Sequence, residues 1–416
     1  MSGRHVPTHH GEARSPPGAT EEKLPAIIPT DYRAGYEKAC ELAPETAANY
    51  VAHTLIGDPL ADAMMEDLSG VSRQEQALLF QGALLEQDWD SLTDAPSSAK
   101  EFFEDTEKVP DWVDFDSFLP GIRMFHRNSH LILGAFVGGT LVEGFATNIS
   151  KAFFISGRVR DQGVRRLRQN NRHMIEIFMP DGLTRDGDGW KLSVRIRLVH
   201  AQLRRLLGNS DEWDHEAWGL PISSAHLGYA ITSFSARLLD HMKHLGAKYS
   251  DEERDSFMSI WRYTGHVMGI PTSILFRDEE DAHHLHRIGS VCEPPPSPES
   301  IVMAHALVNS APLVIGVSDP PERRKLAGYV FKVSRALIGN TLADQLKYPP
   351  GPSYGTLFIF RMQGRYKRLL ASLGRKSKND PNLFRFVSLL EASVLEETGI
   401  SYRLPDHMYS EESSQW

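Results

Sequence analysis

The chain has 416 residues, with 45 basic against 54 acidic side chains, a formal charge of −9 and a pI near 6.1. That balance argues against a nucleic-acid partner, and 41% hydrophobic with 24% charged residues excludes a chain disordered throughout. Two cysteines, Cys40 and Cys292, are too few for a disulfide-stapled secreted scaffold or a Cys-rich zinc module, and point to a reduced, cytoplasmic protein.

Residues 1–29, with His5, His9, His10 and the run Ser15-Pro16-Pro17-Gly18, lack an apolar core and a small-residue cleavage pattern. They read as a flexible tail. From Tyr32 onward the apolar residues recur with a period of 3.6 and hardly alternate, so the fold class is all-α, one large helical domain over residues 30–370. The longest apolar run, 131–146, is broken by Gly134, Gly138, Gly139 and Glu143 and is shorter than the ~20 residues a bilayer span needs; it predicts a buried core helix. Residues 301–317 carry His305, Asn309 and Pro312 and also read as interior. No transmembrane anchor is expected, and contact with a membrane surface stays open.

In residues 222–245 the apolar positions Leu227, Ile231, Phe234, Leu238, Met242 and Leu245 step by three and four, with Gly246 as a stop, which predicts one long helix. Ser250 with Glu253 has capping-box spacing and opens the next helix, ended by Gly269-Ile270-Pro271. The Pro-rich stretch 293–298 reads as an external loop before helices at 301–311 and 322–346, and residues 371–416 as a C-terminal helix and polar tail.

The segment 191–208 carries the chemistry. Ile196, Val199, Leu203 and Leu207 form an apolar stripe that contains His200, so an imidazole points inward. Arg197 and Arg204 lie three before and four after it, about 40–60° around the helix axis. Two cations beside a core histidine need anionic partners. A haem satisfies all three: iron takes the imidazole, the porphyrin fills an apolar slot, and its propionates accept from arginine. The plainer reading makes His200 a hydrogen-bonded core residue with arginines at a solvated edge.

Other signals are weaker. Glu212 with His215 and Glu280 with His283 fit the Glu-x-x-His spacing of di-iron bundles, yet with 18 histidines such spacings arise by accident. His283, His284 and His286 form a local cluster without a completing ligand set, while His266, His305 and His130 read as interior or pocket-side residues. Phosphate-loop, zincin and Gly-x-Ser-x-Gly motifs do not occur.

The run Arg195-Ile-Arg-Leu-Val-His200-Ala-Gln-Leu-Arg204 resembles the haem-helix motif of the rubber oxygenase (latex clearing protein) and mycophenolate-pathway MpaB-type oxygenase family. Gly157 and Arg165-Arg166-Leu167 upstream fit in order and spacing. So do Trp218-Gly-Leu-Pro-Ile222, Phe234-Ser235, Leu245-Gly246, Trp261-Arg262, Gly265-His266, Gly269-Ile-Pro271, Arg335-Ala-Leu-Ile-Gly339 and Leu342-Ala343-Asp344 downstream. The resemblance covers about residues 58–349. It implies haem b in a globin-like helical core and attack by dioxygen on the C=C bond of an apolar, isoprenoid or terpenoid-type molecule. Carried over by position, His200 matches the proximal iron ligand, Arg197 and Arg204 the haem surroundings, and Arg166 the distal-side arginine. Gln169 stands where rubber oxygenases place a lysine that caps the iron, and Asn170 where threonine is usual. Glu143 is the candidate for the family's catalytic glutamate, or else a buried carboxylate paired with Arg158 or Arg166. A non-catalytic globin-like haem protein and a non-haem di-iron oxidase are the alternatives.

Overall fold

The computed structural model describes residues 27–156, 163–314, 316–317 and 319–362. Most of the expected tail, Gly157, Arg158 and the region 371–416 lie outside the described residues, as do the side chains of Arg166 and His130. Among the described residues there are helices and turns and no strand, so the all-α expectation holds.

The chain opens with α1 (Arg33–Cys40), α2 (Pro44–His53), α3 (Pro59–Asp67), α4 (Arg73–Phe80) and α5 (Ser97–Thr106). Proline begins α2 and α3, where its missing N–H costs nothing, and Asp58 caps α3 by accepting from the Ala61 N–H. Next come α6 (Leu119–Ala135), a π-turn over Phe136–Thr140, α7 (Leu141–Phe145) and α8 (Ile149–Ile155). The run 131–146 is buried as expected, but it is not one regular helix. At Gly139 a Cβ would collide with the His241 ring, so the backbone comes close there, and the helix widens by one residue in this stretch. Together with α8 the run is bent by 96°, and among the described residues no single helix is long and apolar enough to cross a membrane.

Helices α9 (Gly163–Ile177) and α10 (Asp188–Gly208) form an antiparallel hairpin, followed by the short α11 (His215–Trp218). Phe178, at the hairpin's base, stacks on Phe125 of α6 at 4.3 Å. The stretch expected as one helix at 222–245 is α12 (Ser224–Thr232), a second π-turn over Ser233–Arg237 and α13 (Leu238–Leu245). It stops at Gly246 with φ +108°, the left-handed conformation a glycine stop needs. Phe178 also stacks at 4.9 Å on Phe257 of α14 (Asp251–Val267), which starts with the expected Ser250/Glu253 capping box.

The last elements are α15 (Glu279–Cys292), α16 (Pro298–Val314), α17 (Pro320–Ile338) and α18 (Asn340–Gln345). The helix expected over 322–346 is therefore two, split at Gly339 with φ +85°. The buried apolar side chains form one connected cluster, with α6 on α14, α10 on α3 and α9, and α16 on α9 and α17.

The Pro-rich stretch is a loop, as expected, but its first residue is not external. Glu293 is buried and accepts from Tyr50 Oη at 2.7 Å and the Asn148 N–H at 2.9 Å; His226 Nε2 lies 3.7 Å away and hydrogen-bonds Tyr32 Oη at 2.8 Å. This network ties the first helices to α12, α15 and the start of α8. Burial pushes the Glu293 carboxyl up to about 7 and the His226 imidazole down to about 3. Folding in the window between about 4.5 and 6.5 thus takes one proton onto Glu293 and sheds one from His226, and the two effects on stability cancel. Glu293→Gln deletes only the first. The stability difference, wild type minus Glu293→Gln, should fall by about 3 kcal/mol as pH rises from about 4.5 to 7, measured by urea unfolding. A difference that stays constant across that range would refute a neutral buried carboxyl.

Candidate functional site

The hairpin of α9 and α10 sets the site. His173 Nε2 meets Ser193 Oγ at 2.8 Å, and that hydroxyl donates to the Gly189 carbonyl at 2.7 Å, so the imidazole is the donor between the two. Burial pushes the His173 pKa down to about 3 and keeps the ring neutral. The bond also fixes the register. Arg166 lies seven residues before His173 and His200 seven after Ser193, about two turns in each helix, so antiparallel packing sets these positions opposite each other. Gln169 and Asn170 follow on the same α9 segment, the first buried and the second half-buried.

His200 is half-buried within the expected stripe of Ile196, Val199, Leu203 and Leu207, all buried. Both flanking arginines are already paired with protein carboxylates. Arg197 grips Asp58 with both arms, Nε to Oδ2 at 2.5 Å and Nη2 to Oδ1 at 3.0 Å, and lies over the Phe102 ring at 4.9 Å. Arg204 donates through Nε to Asp62 at 2.8 and 2.9 Å and through Nη1 to the Ile222 carbonyl at 2.5 Å. The cause is the packing of α3 on α10, which brings its capping aspartate and first turn against both guanidinium groups. Burial raises the Asp62 carboxyl pKa, and the Arg204 charge pulls against that rise. Among the buried donors that find no acceptor in the described residues are Arg204 Nη2 on α10 and Arg168 Nε on α9.

Glu143 stands in a different cluster. Among the described residues its partner is Arg237, at 2.7 and 3.2 Å; the expected Arg158 and the Arg166 side chain lie outside the described residues. His241 Nε2 lies 3.3 Å and His286 Nε2 3.7 Å from the same carboxylate. These groups come from α7, α13, α15 and the second π-turn, not from the hairpin. Despite burial, the charges of His241 and Arg237 hold the Glu143 carboxyl well below its ordinary range. The other histidines scatter. His283 approaches Asp240, His284 bonds Thr46 at 2.9 Å, and His286 stacks on Tyr229 at 4.6 Å. His215 meets the Gly208 carbonyl, His305 the Leu346 carbonyl, and His266 stacks on Tyr263. Among the described residues no group of three or more His, Cys, Asp or Glu side chains converges to hold a metal ion, so neither Glu-x-x-His pair gains the further ligands a di-iron site requires.

Sequence reasoning missed Asp58, Asp62 and Arg237. The only available signal was charge balance, since each buried arginine implies a carboxylate somewhere.

A helical core with an inward histidine on a packed hairpin matches a known class. The profile of the family described as ER-bound oxygenase mpaB/B'/Rubber oxygenase, catalytic domain, covers residues 122–368 of this chain. The chain belongs to that family, a family of oxygenases. It is similar to the rubber oxygenase of Streptomyces sp. strain K30, 25% identical over 179 residues that make up 42% of this chain and 44% of that relative. The aligned part is thus less than half of the relative's length. The solved structure of the latex clearing protein LCP in the closed state superposes with a TM-score of 0.62 at 18% identity, covering 85% of this chain and 95% of that one, and so shares its fold.

Proposed function

We propose that the chain is a haem-b-dependent oxygenase that uses dioxygen to attack a C=C bond of an apolar, isoprenoid or terpenoid-type molecule. The observation that carries this reading is the hairpin: His200 lies on the buried stripe of α10, opposite Arg166, in the register fixed by the His173–Ser193 bond. Family membership supplies the oxygenase chemistry.

The residues present fit the group. His200 would hold the haem iron through an imidazole nitrogen. Arg204 Nη2 and Arg168 Nε are buried cationic donors with capacity left for the two propionates, while the remaining arms of Arg204 keep its guanidinium fixed. When bound, haem supplies iron for oxygen chemistry that amino-acid side chains lack. The chain's own residues do the rest. By its position in the family motif, Arg166 would supply a cationic donor to the reacting oxygen. Gln169 and Asn170 are uncharged, so neither would compete for iron as a lysine amine does, and both are compatible with an apolar substrate.

Purified protein should show a Soret band with one iron per chain and should convert an isoprenoid alkene only in the presence of dioxygen. Arg166→Ala should keep the Soret band and lose turnover. A colourless protein would overturn the haem reading, and a haem protein that turns over no alkene would favour the non-catalytic globin-like alternative.

A further inference from the structure

A helix that would supply a single imidazole to a haem has to be held in rotation and in height, because one residue of slippage turns its side chains by about 100° and moves them about 1.5 Å. In α10 the two anchor points bracket the ligand. Arg197 stands three residues before His200 and Arg204 four after it, and each is held by a carboxylate from the start of α3. Asp58 and Asp62 are themselves four residues apart, so one rigid helix start grips α10 at two heights about 10 Å apart. Asp62 also accepts from the Asp58 N–H at 2.9 Å, which couples the two grips.

The surroundings leave room for these pairs. A Cβ at Gly57 would collide with Asp62 and Arg204, and a Cβ at Gly269 would collide with Asp58 and Arg197. Gly269 further adopts φ +78°, where a side chain is strained. Neither arginine is a surface group, each being 5% exposed, and Asp58 is 4% exposed. Neutralising Asp62 therefore leaves the buried Arg204 without its carboxylate, and neutralising Asp58 leaves Arg197 only the more distant Asp105 at 3.8 Å, so in either case α10 must shift to compensate the cation.

We infer that Asp58 and Asp62 are positioning residues for the His200 imidazole, fixing the rotation and height of α10 that aim it at the haem iron. The inference rests on the haem reading above. It assigns the ion pairs a purpose beyond folding, because a clamp on this helix sets where the His200 imidazole would meet the group.

The test uses the full chain, loaded with haem b, as wild type, Asp58→Asn and Asp62→Asn. Three quantities are read: far-UV circular dichroism, the rate of haem transfer to excess apomyoglobin, and the ferric spin state by electron paramagnetic resonance. Both variants should keep wild-type helicity, transfer haem about tenfold faster or more, and show a shifted or heterogeneous ferric signal. Asp58→Glu, which restores the charge, should recover part of the wild-type rate. If Asp58→Asn fails to fold, Asp62→Asn at the more exposed edge decides. Variants with wild-type transfer rates and spectra would overturn the positioning role, even if their thermal stability fell. A wild type without a Soret band would overturn the haem reading first and this inference with it.

Discussion

His200→Ala is expected to leave a helical protein that no longer retains haem. The truncation removes the iron ligand, while Ile196, Val199, Leu203 and Leu207 still bury the stripe that docks α10, and alanine favours helix. The cost to the fold should be about 1 kcal/mol, since the imidazole is only half-buried, whereas haem occupancy should drop to near zero. The ratio of Soret to protein absorbance, iron content and far-UV circular dichroism on the same sample give the answer. Full haem occupancy in this variant would remove His200 as the ligand. Arg197→Ala and Arg204→Ala are not milder versions of the same experiment. Each strands Asp58 or Asp62 beside a vacated partner, so their loss of haem should come with a loss of stability.

The second large effect concerns Glu143, whose surroundings separate a structural from a catalytic purpose. Glu143→Ala leaves the Arg237 guanidinium and the His241 and His286 rings around a missing charge, and should cost about 3 kcal/mol, a fall in Tm of about 5 °C or more. Removing both partners, Glu143→Leu with Arg237→Leu, should cost less than the sum of the single changes. Acid acts the same way. The folded-state pKa of Glu143 is depressed, so its contribution is fully present above the unfolded value of about 4.5 and is lost as pH falls below it. A Glu143→Ala protein of wild-type stability that has lost only turnover would mark this residue as catalytic.

What the sequence reveals about this fold is what local periodicity and end signals encode. The helical class, the Ser250 capping box, the Gly246 stop and the stripe around His200 each depend on residues within a turn or two of one another, and all are found as expected. Partners distant in the chain leave no such trace. Arg197 pairs with Asp58 across 139 positions and Glu143 with Arg237 across 94, and nothing in spacing tells an aspartate from a propionate as the anion beside a buried arginine. Glu293 shows the same limit. Three prolines follow it and suggest an outside loop, yet its carboxylate closes a network gathered from four other segments.

Of the three π-turns among the described residues, the two that face each other bear on how this chain compares with its relatives; the third, Gln81–Glu86, follows α4. Phe136–Thr140 ends three residues before Glu143, and Ser233–Arg237 contains Arg237 itself, and the two segments pack on each other. Each amounts to a single-residue insertion into an otherwise regular helix, and removing one would swing everything after it by about 100°. Deleting either insertion alone would aim Glu143 or the α13 residues away from the shared ion pair, so the two form a matched set. In an alignment of relatives they should be gained or lost together, and a relative carrying only one should have replaced Glu143 or Arg237.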